Sequence, residues 1–187
     1  MISQRAKTGF ENILHRCLQE SLRTEAHPTW QLQPVTEENV IGVQRFVMLT
    51  ISSYDFRLVV LLHFSCNEAS NRYVADSLRQ ASSELPLTLY NDFLAEVGNT
   101  FCGAFKRELG HYVSHLGMST PNQLGRESLK HVKSWPTDHD MHIHAQAEAG
   151  AEFYGSLYVS SFGELDFEFI QQAKNEAIAE VGALELF

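Results

Sequence analysis

The sequence predicts an α+β fold, in which helices cover a largely antiparallel sheet. Segments that alternate polar and apolar residues are joined in pairs by short polar turns, as in hairpins. Segments whose apolar residues recur every three or four positions stand before, between and after these pairs. The chain has 187 residues, of which 44% are hydrophobic, and a chain of this length usually forms one hydrophobic core and not two. We expect a single domain over residues 1–187, with its core at about 10–162.

The first part of the chain is predicted to form a helix and three strands. Helical spacing of apolar residues extends from Ser3 to Ala26. Residues 30–35 alternate as a short strand does, and Pro34 places that strand at a sheet edge. Residues 40–49 and 56–64 are rich in Val, Ile, Leu and Phe, and the polar residues between them suit a hairpin turn. The second of these two strands should be central in the sheet.

The remaining elements follow from the same two periodicities. The predicted helices cover 67–83 and 88–110, the predicted strands cover 114–119, 141–147 and 152–162, and the segment 125–135 is ambiguous. A further helix is predicted at about 166–182, with Asp166 as its N-cap.

Composition excludes several classes of function. The 14 basic and 23 acidic residues give a net charge of −9, which repels a nucleic-acid backbone. Apolar runs stay well below the roughly 20 residues that a membrane span requires. The first seven residues lack the layout of a secretory signal, and the three cysteines are far apart and odd in number. We therefore expect a cytoplasmic protein that binds neither nucleic acid nor a membrane.

The predicted helix 88–110 carries a polar stripe opposite its apolar side. Asp92, Glu96, Asn99 and Gly103 fall within about 60° on a helical wheel. The opposite side is filled by Phe93, Leu94, Val97, Phe101, Ala104 and Phe105. The helix should therefore pack by its aromatic residues and present Glu96 and Asn99 outward.

Three residues of this helix are poor helix formers, which favours a functional face over a merely solvated one. Gly98 and Gly103 each cost about 1 kcal/mol relative to alanine, and Asn99 costs a few tenths. Gly103 lies one turn after Asn99 and removes bulk where another molecule could approach closely. A loss of helix stability without an evident structural reason is typical of functional positions.

The spacing Asp92-x3-Glu96-x2-Asn99, followed by Pro121 after 21 intervening residues, resembles the signature of the CheC, CheX and FliY chemotaxis phosphatases. That signature is written Asp/Ser-x3-Glu-x2-Asn-x22-Pro, so the spacing here is one residue shorter. The order of predicted elements is similar too. The resemblance is closest to CheX, because the first helix has no matching Glu-x2-Asn.

The resemblance implies a phosphatase that hydrolyses the aspartyl phosphate of a CheY-like response-regulator receiver domain. Asn99 would position the attacking water, since an uncharged carboxamide accepts and donates hydrogen bonds without repelling phosphoryl oxygens. Glu96 would pair with the receiver's active-site lysine, and Gly103 would allow close approach. Asp92 would support docking or be an acid favoured by the helix dipole. The chain would bind no cofactor, the Mg2+ would belong to the receiver, and the protein would be a homodimer.

Two other functions fit the sequence. The same helix could dock on a receiver or another signalling protein without hydrolysing anything, although a pure binding module has no need of the carboxamide.

Asp140, His142 and His144 would share one face of a strand, and two histidines with a carboxylate can bind a non-haem metal. Three neighbouring positions on one strand seldom converge on one ion, however. We expect this histidine pair to face solvent or a second copy, opposite a buried face of Met141, Ile143 and Ala145.

We predict that protein purified without an affinity tag carries no stoichiometric transition metal. Chelation should leave its melting temperature unchanged, because the histidine strand alone does not complete a coordination sphere. Elemental analysis and thermal melts test this. About one ion per chain, lost in His142→Ala, would contradict it.

Overall fold

The computed structural model describes residues 1–40, 45–65, 67–132 and 134–170. Its helices are α1 (Gln4–Leu22), α2 (Glu37–Val40), α3 (Glu68–Ser77), α4 (Leu87–Leu109) and α5 (Leu129–Val132), with a 3-10 turn at Arg126–Ser128 before α5. Its strands are β1 (Trp30–Val35), β2 (Arg45–Ser52), β3 (Phe56–Phe64), β4 (Gly117–Met118), β5 (Asn122–Gly125), β6 (His139–Ala147) and β7 (Glu152–Ser161).

All seven strands belong to one antiparallel sheet. Their order is β1–β6–β7–β3–β2–β4, and β5 also pairs with β2, so β4 and β5 share the outer edge of that strand. The predicted α+β fold with an antiparallel-rich sheet is confirmed. The predicted position of β3 in the middle of the sheet is confirmed too, as is the position of β1, with its Pro34, at an edge.

Helices α1 and α4 cover one face of the sheet and enclose the main core. α1 lies over β1, β6 and β7, and α4 lies over β2 and β5. The packing uses the apolar stripes predicted from helical spacing, because Phe10 of α1 and both Phe101 and Phe105 of α4 are fully buried. None of the helices in the described part of the chain combines the length and apolar character needed to cross a membrane.

A smaller core lies on the opposite face of the sheet. Phe46, Val59 and Leu61 pack there against Leu129 and Val132 of α5. The segment 125–135, which the sequence left ambiguous, therefore contains a short helix that covers part of this face.

The predicted terminal helix is wrong where the structure describes it, because residues 166–170 are not helical. Leu165 instead pairs with the N-terminal segment: its carbonyl accepts from Ser3 N at 3.0 Å, and its N–H donates to Met1 O at 2.9 Å. Asp166 is not an N-cap of its own helix; it accepts hydrogen bonds from Ser3 and Arg5. The remainder of the prediction, 171–182, lies outside the described residues.

Further boundaries differ from the predictions, and the first helix, predicted to extend to Ala26, ends at Leu22. The predicted strand 40–49 is observed from Arg45 onward, and Val40 belongs to α2. The predicted helix 67–83 ends at Ser77, near the left-handed turn at Arg79 with φ 55°. The predicted strand 114–119 shrinks to two residues, and β5 was missed because its four residues are too few to show a period.

Truncation of Phe101 or Phe105 to alanine should lower the free energy of unfolding by about 3–5 kcal/mol, because each ring is fully buried. Thr100→Ala, at an exposed position of the same helix, is the matched control and should change stability by less than about 0.5 kcal/mol. Urea unfolding followed by circular dichroism measures all three. Losses below about 1 kcal/mol for both phenylalanines would contradict the packing of α4.

Candidate functional site

The four residues of the polar stripe lie together on α4. Asp92, Glu96 and Asn99 are exposed, and Gly103 is partly exposed. The side chain of Asp92 lies beyond the first helical turn, because α4 begins at Leu87. The helix dipole acts mainly within that turn, so it does not account for this acid.

Glu96 and Asn99 contact each other on the exposed face. Nδ2 of Asn99 donates to Oε2 of Glu96 at 3.5 Å, at the long limit of a hydrogen bond. A carboxamide has a second N–H and an acceptor oxygen, so this contact leaves it able to bind a water molecule. The pair combines one anionic and one neutral polar group on a surface that another protein can reach.

The two glycines of α4 have different environments. A Cβ atom on Gly98 would lie 2.9 Å from Cγ1 of Val47 and 3.7 Å from Cβ of Pro121. A Cβ atom on Gly103 would meet no atom of the described residues within 4 Å. The argument that Gly98 marks a functional face is therefore wrong, because close packing against β2 requires this glycine. Gly103 has no such packing role against the part of the chain that the structure describes.

Pro121 lies beside the motif helix. It follows β4, which pairs with the end of β2, and precedes β5, which pairs with the start of β2. The chain thus crosses alongside α4 between the two short strands, at the level of Gly98. The spacing of 21 residues from Asn99 is sufficient to bring the proline to the helix that carries Glu96 and Asn99.

Two hydrogen bonds that were not predicted from the sequence hold the N-terminal half of α4. Nε2 of Gln123 donates to the backbone carbonyl of Asn91 at 2.6 Å. Nη1 of Arg45 donates to Oδ1 of Asn91 at 3.3 Å. These contacts join three separate elements, so no local pattern in the sequence could have indicated them. They fix the helix one turn before Glu96.

The C-terminal half of α4 is connected to α1 by ion pairs. Arg16 contacts Glu108 at 3.2 Å in a partly buried site, and Arg107 contacts Glu20 at 3.3 Å in an exposed one. The exposed pair contributes little stability. Burial raises the pKa of the Cys102 thiol on this helix to about 11, which excludes it as a nucleophile near neutral pH.

Comparison with solved structures identifies the architecture. A CheX chemotaxis protein from Vibrio vulnificus is 16% identical with a TM-score of 0.59, and the match covers 81% of this chain and 96% of that one. A CheC-like superfamily protein from Shewanella sp. PV-4 is 12% identical with a TM-score of 0.62, over 82% of this chain and 98% of that one. The chain has the fold of the CheX and CheC proteins.

A third match with the CheX fold is the CheX–CheY–BeF3–Mg2+ complex from Borrelia burgdorferi. It is 14% identical with a TM-score of 0.57 and covers 82% of this chain and 97% of that one. No protein-family model matches the sequence. No curated protein matches it either.

The histidine strand differs from its prediction. Met141, Ile143 and Ala145 are buried as expected, but His142 and His144 are buried as well and do not face solvent. The ring of His142 packs against Tyr158, with centroids 5.7 Å apart, and the ring of His144 stacks on Tyr154 at 4.7 Å. Within the described residues, no group of three His, Cys, Asp or Glu side chains is arranged to hold a metal ion.

Alanine substitutions at the two glycines should have opposite effects on stability. Gly98→Ala forces a shift of Val47 and should destabilise the fold by about 1–3 kcal/mol, as overpacking does. Gly103→Ala places a methyl group in open space and should stabilise the helix by up to about 1 kcal/mol. Parallel denaturant titrations compare the two variants. Equal stabilisation by both would contradict the close contact between α4 and β2.

Proposed function

We propose that the chain is a phosphatase of the aspartyl phosphate on a CheY-like receiver domain, and that it acts as a homodimer in the cytoplasm. The observation that carries the proposal is the exposed Glu96–Asn99 pair, on the helix and at the spacing that the family signature requires. The CheX-like fold supports it, as does the complex of a CheX with CheY among the similar structures. Docking through α4 would bring this pair to the receiver's active site.

Asn99 is the proposed water-positioning residue. An aspartyl phosphate leaves as a carboxylate, so its hydrolysis needs little help from a general acid and depends on placing a water in line with phosphorus. The amide oxygen of Asn99 accepts a hydrogen bond from that water. Because the amide is uncharged, it can approach phosphoryl oxygens from which a carboxylate would be repelled.

Glu96 has a different proposed role because of its charge. Its carboxylate would repel the phosphoryl group, and it is better suited to an ion pair with the receiver's active-site lysine. Such a pair forms on docking, before the chemical step, and orients α4 on the receiver. The contact between Glu96 and the Nδ2 group of Asn99 helps to direct the amide oxygen away from the carboxylate. Asp92, one turn earlier, and the open surface at Gly103 would extend the docking surface.

The proposed chemistry requires no cofactor on this chain. The Mg2+ that neutralises phosphoryl charge would be bound by the receiver, and this chain would supply the polar stripe of α4. A non-catalytic adaptor is the alternative, because the same stripe could bind a receiver without hydrolysis. The retained carboxamide favours the enzyme, since binding alone would be served by the charged residues.

Asn99→Ala should slow dephosphorylation of the cognate receiver by about 10²-fold or more, or roughly 2.7 kcal/mol in the transition state. Phosphate release from a phosphorylated receiver, at saturating concentration of this protein, measures the effect. Binding should change much less, because the lost contact is made to water. Thr100→Ala, the exposed neighbour, is the matched control and should retain the parental rate.

Glu96→Ala should weaken association with the receiver as well, and both variants should melt like the parent because neither side chain is buried. A parental rate in Asn99→Ala, with an active parent, would contradict the water-positioning role. A parent that binds phosphorylated receivers and accelerates none would establish the adaptor.

A further inference from the structure

A buried polar cluster lies on the sheet face opposite α1 and α4, away from the candidate site. Four residues, here called the Ser156 cluster, form one hydrogen-bonded chain: His63 of β3, Ser156 of β7, and His142 and Asp140 of β6. Nε2 of His63 lies 3.2 Å from Oγ of Ser156, which lies 2.8 Å from Nδ1 of His142. Nε2 of His142 lies 3.1 Å from Oδ2 of Asp140.

One arrangement of protons satisfies this chain with both imidazoles neutral. His142 donates from Nε2 to the Asp140 carboxylate and accepts at Nδ1 from the Ser156 hydroxyl. The hydroxyl oxygen then accepts from Nε2–H of His63. The bare Nδ1 of His63 has no hydrogen-bond partner among the described residues. Each of the three contacts therefore has one donor and one acceptor.

The cluster can accept a first proton more readily than a second. A proton added at Nδ1 of His142 creates an imidazolium next to the Asp140 carboxylate, whose side chain is 56% exposed. If the proton of His63 moves from Nε2 to Nδ1, the Ser156 hydroxyl can rotate and donate its hydrogen bond to Nε2 of His63. A second proton would give His63 a charge with no carboxylate in contact, in a side chain that is 1% exposed.

The surroundings of His63 do not compensate for such a charge. Among the described residues, the charged and titratable groups with contacts on this face are Asp140 and His144 of β6, Glu152, Tyr154 and Tyr158 of β7, Glu37 of α2 and Arg57 of β3. Glu152 contacts His144 at 3.4 Å, and Glu37 contacts the hydroxyl of Tyr158. The neighbouring strand β2 presents the ring of Phe46 to His63, with centroids 5.5 Å apart. Burial, and then the proximity of His142, lower the pKa of His63 to about 3.

We propose that the Ser156 cluster is an acid-sensitive switch, in which the sheet is stable while His63 is neutral and loosens when His63 is forced to take a proton. The strands joined by the cluster are β3, β6 and β7. Phe46 packs on His63 and is followed by Val47, which supports α4 beneath Gly98. Loosening at His63 would therefore weaken the support of the helix that carries Glu96 and Asn99.

The direction of the pH dependence follows from the position of His63. In the unfolded chain its pKa returns to about 6.5, so the unfolded state binds one more proton between that value and the folded one. The contribution of His63 to stability is complete above about pH 6.5 and is lost as the pH falls. Below pH 6.5, the contribution of His63 should raise the unfolding equilibrium constant about tenfold for each pH unit. At pH 5 the constant should therefore be about 30-fold larger than at neutral pH because of this residue alone.

Denaturant unfolding of the full chain at pH 7.5 and at pH 5 tests the proposal. His63→Gln keeps an N–H donor for Ser156 and removes the imidazole that takes up a proton in the unfolded chain. Between pH 7.5 and pH 5, the unfolding constant of this variant should therefore rise about 30-fold less than that of the parent. His15→Gln, at an exposed position of α1, is the matched control and should follow the parent. Amide protection in β2, β3, β6 and β7 should fall on acidification in the parent and less in His63→Gln.

A second measurement does not depend on whether the variant folds. Side-chain 15N NMR of the parent should show His63 neutral down to about pH 4.5. Titration of His63 near pH 6.5 in the folded protein would overturn the proposal. So would equal acid sensitivity of the parent and a folded His63→Gln.

Discussion

The close contact between α4 and β2 is the constraint on which the candidate site depends. Because Gly98 has no side chain, the helix lies directly on Val47, with Pro121 beside it. Phe101 and Phe105 fill the core on the same side. Together these contacts fix the rotation of α4 about its own axis. The stripe with Glu96 and Asn99 is exposed because the opposite side of the helix packs against the sheet.

The stripe itself could be predicted from the sequence, but its supports could not. Helical periodicity fixes which residues share a face, whatever the helix packs against, so Glu96 and Asn99 were placed correctly. Periodicity says nothing about what each face meets. Gly98 and Gly103 were therefore both interpreted as marks of a functional face, although a Cβ atom on Gly98 would contact a strand and one on Gly103 would contact none of the described residues. The hydrogen bond from Gln123 to Asn91 could not be predicted for the same reason, since it depends on where β5 joins the sheet.

The errors elsewhere share this cause. Alternation in 141–147 correctly predicted a strand, but a period of two only separates two faces and does not reveal whether the second face is covered. His142 and His144 are buried because the rings of Tyr158 and Tyr154, on the neighbouring strand β7, pack against them. Likewise, the spacing of apolar residues near Phe167 is compatible with a helix. The pairing of Leu165 with the first three residues overrides that local preference.

The sheet is a single layer, and this makes the two faces dependent on each other. Consecutive residues of β2 point to opposite sides, so Val47 supports α4 while Phe46 contacts the buried His63. A buried polar cluster on the sheet face opposite the helices is stable only if its hydrogen bonds are made, because unpaired polar groups are costly at low dielectric. The Ser156 hydroxyl meets this requirement at one nitrogen of each imidazole, whereas Nδ1 of His63 has no partner among the described residues. The orientation of the polar stripe on α4 thus depends on a strand whose opposite side contacts a protonation-sensitive pair.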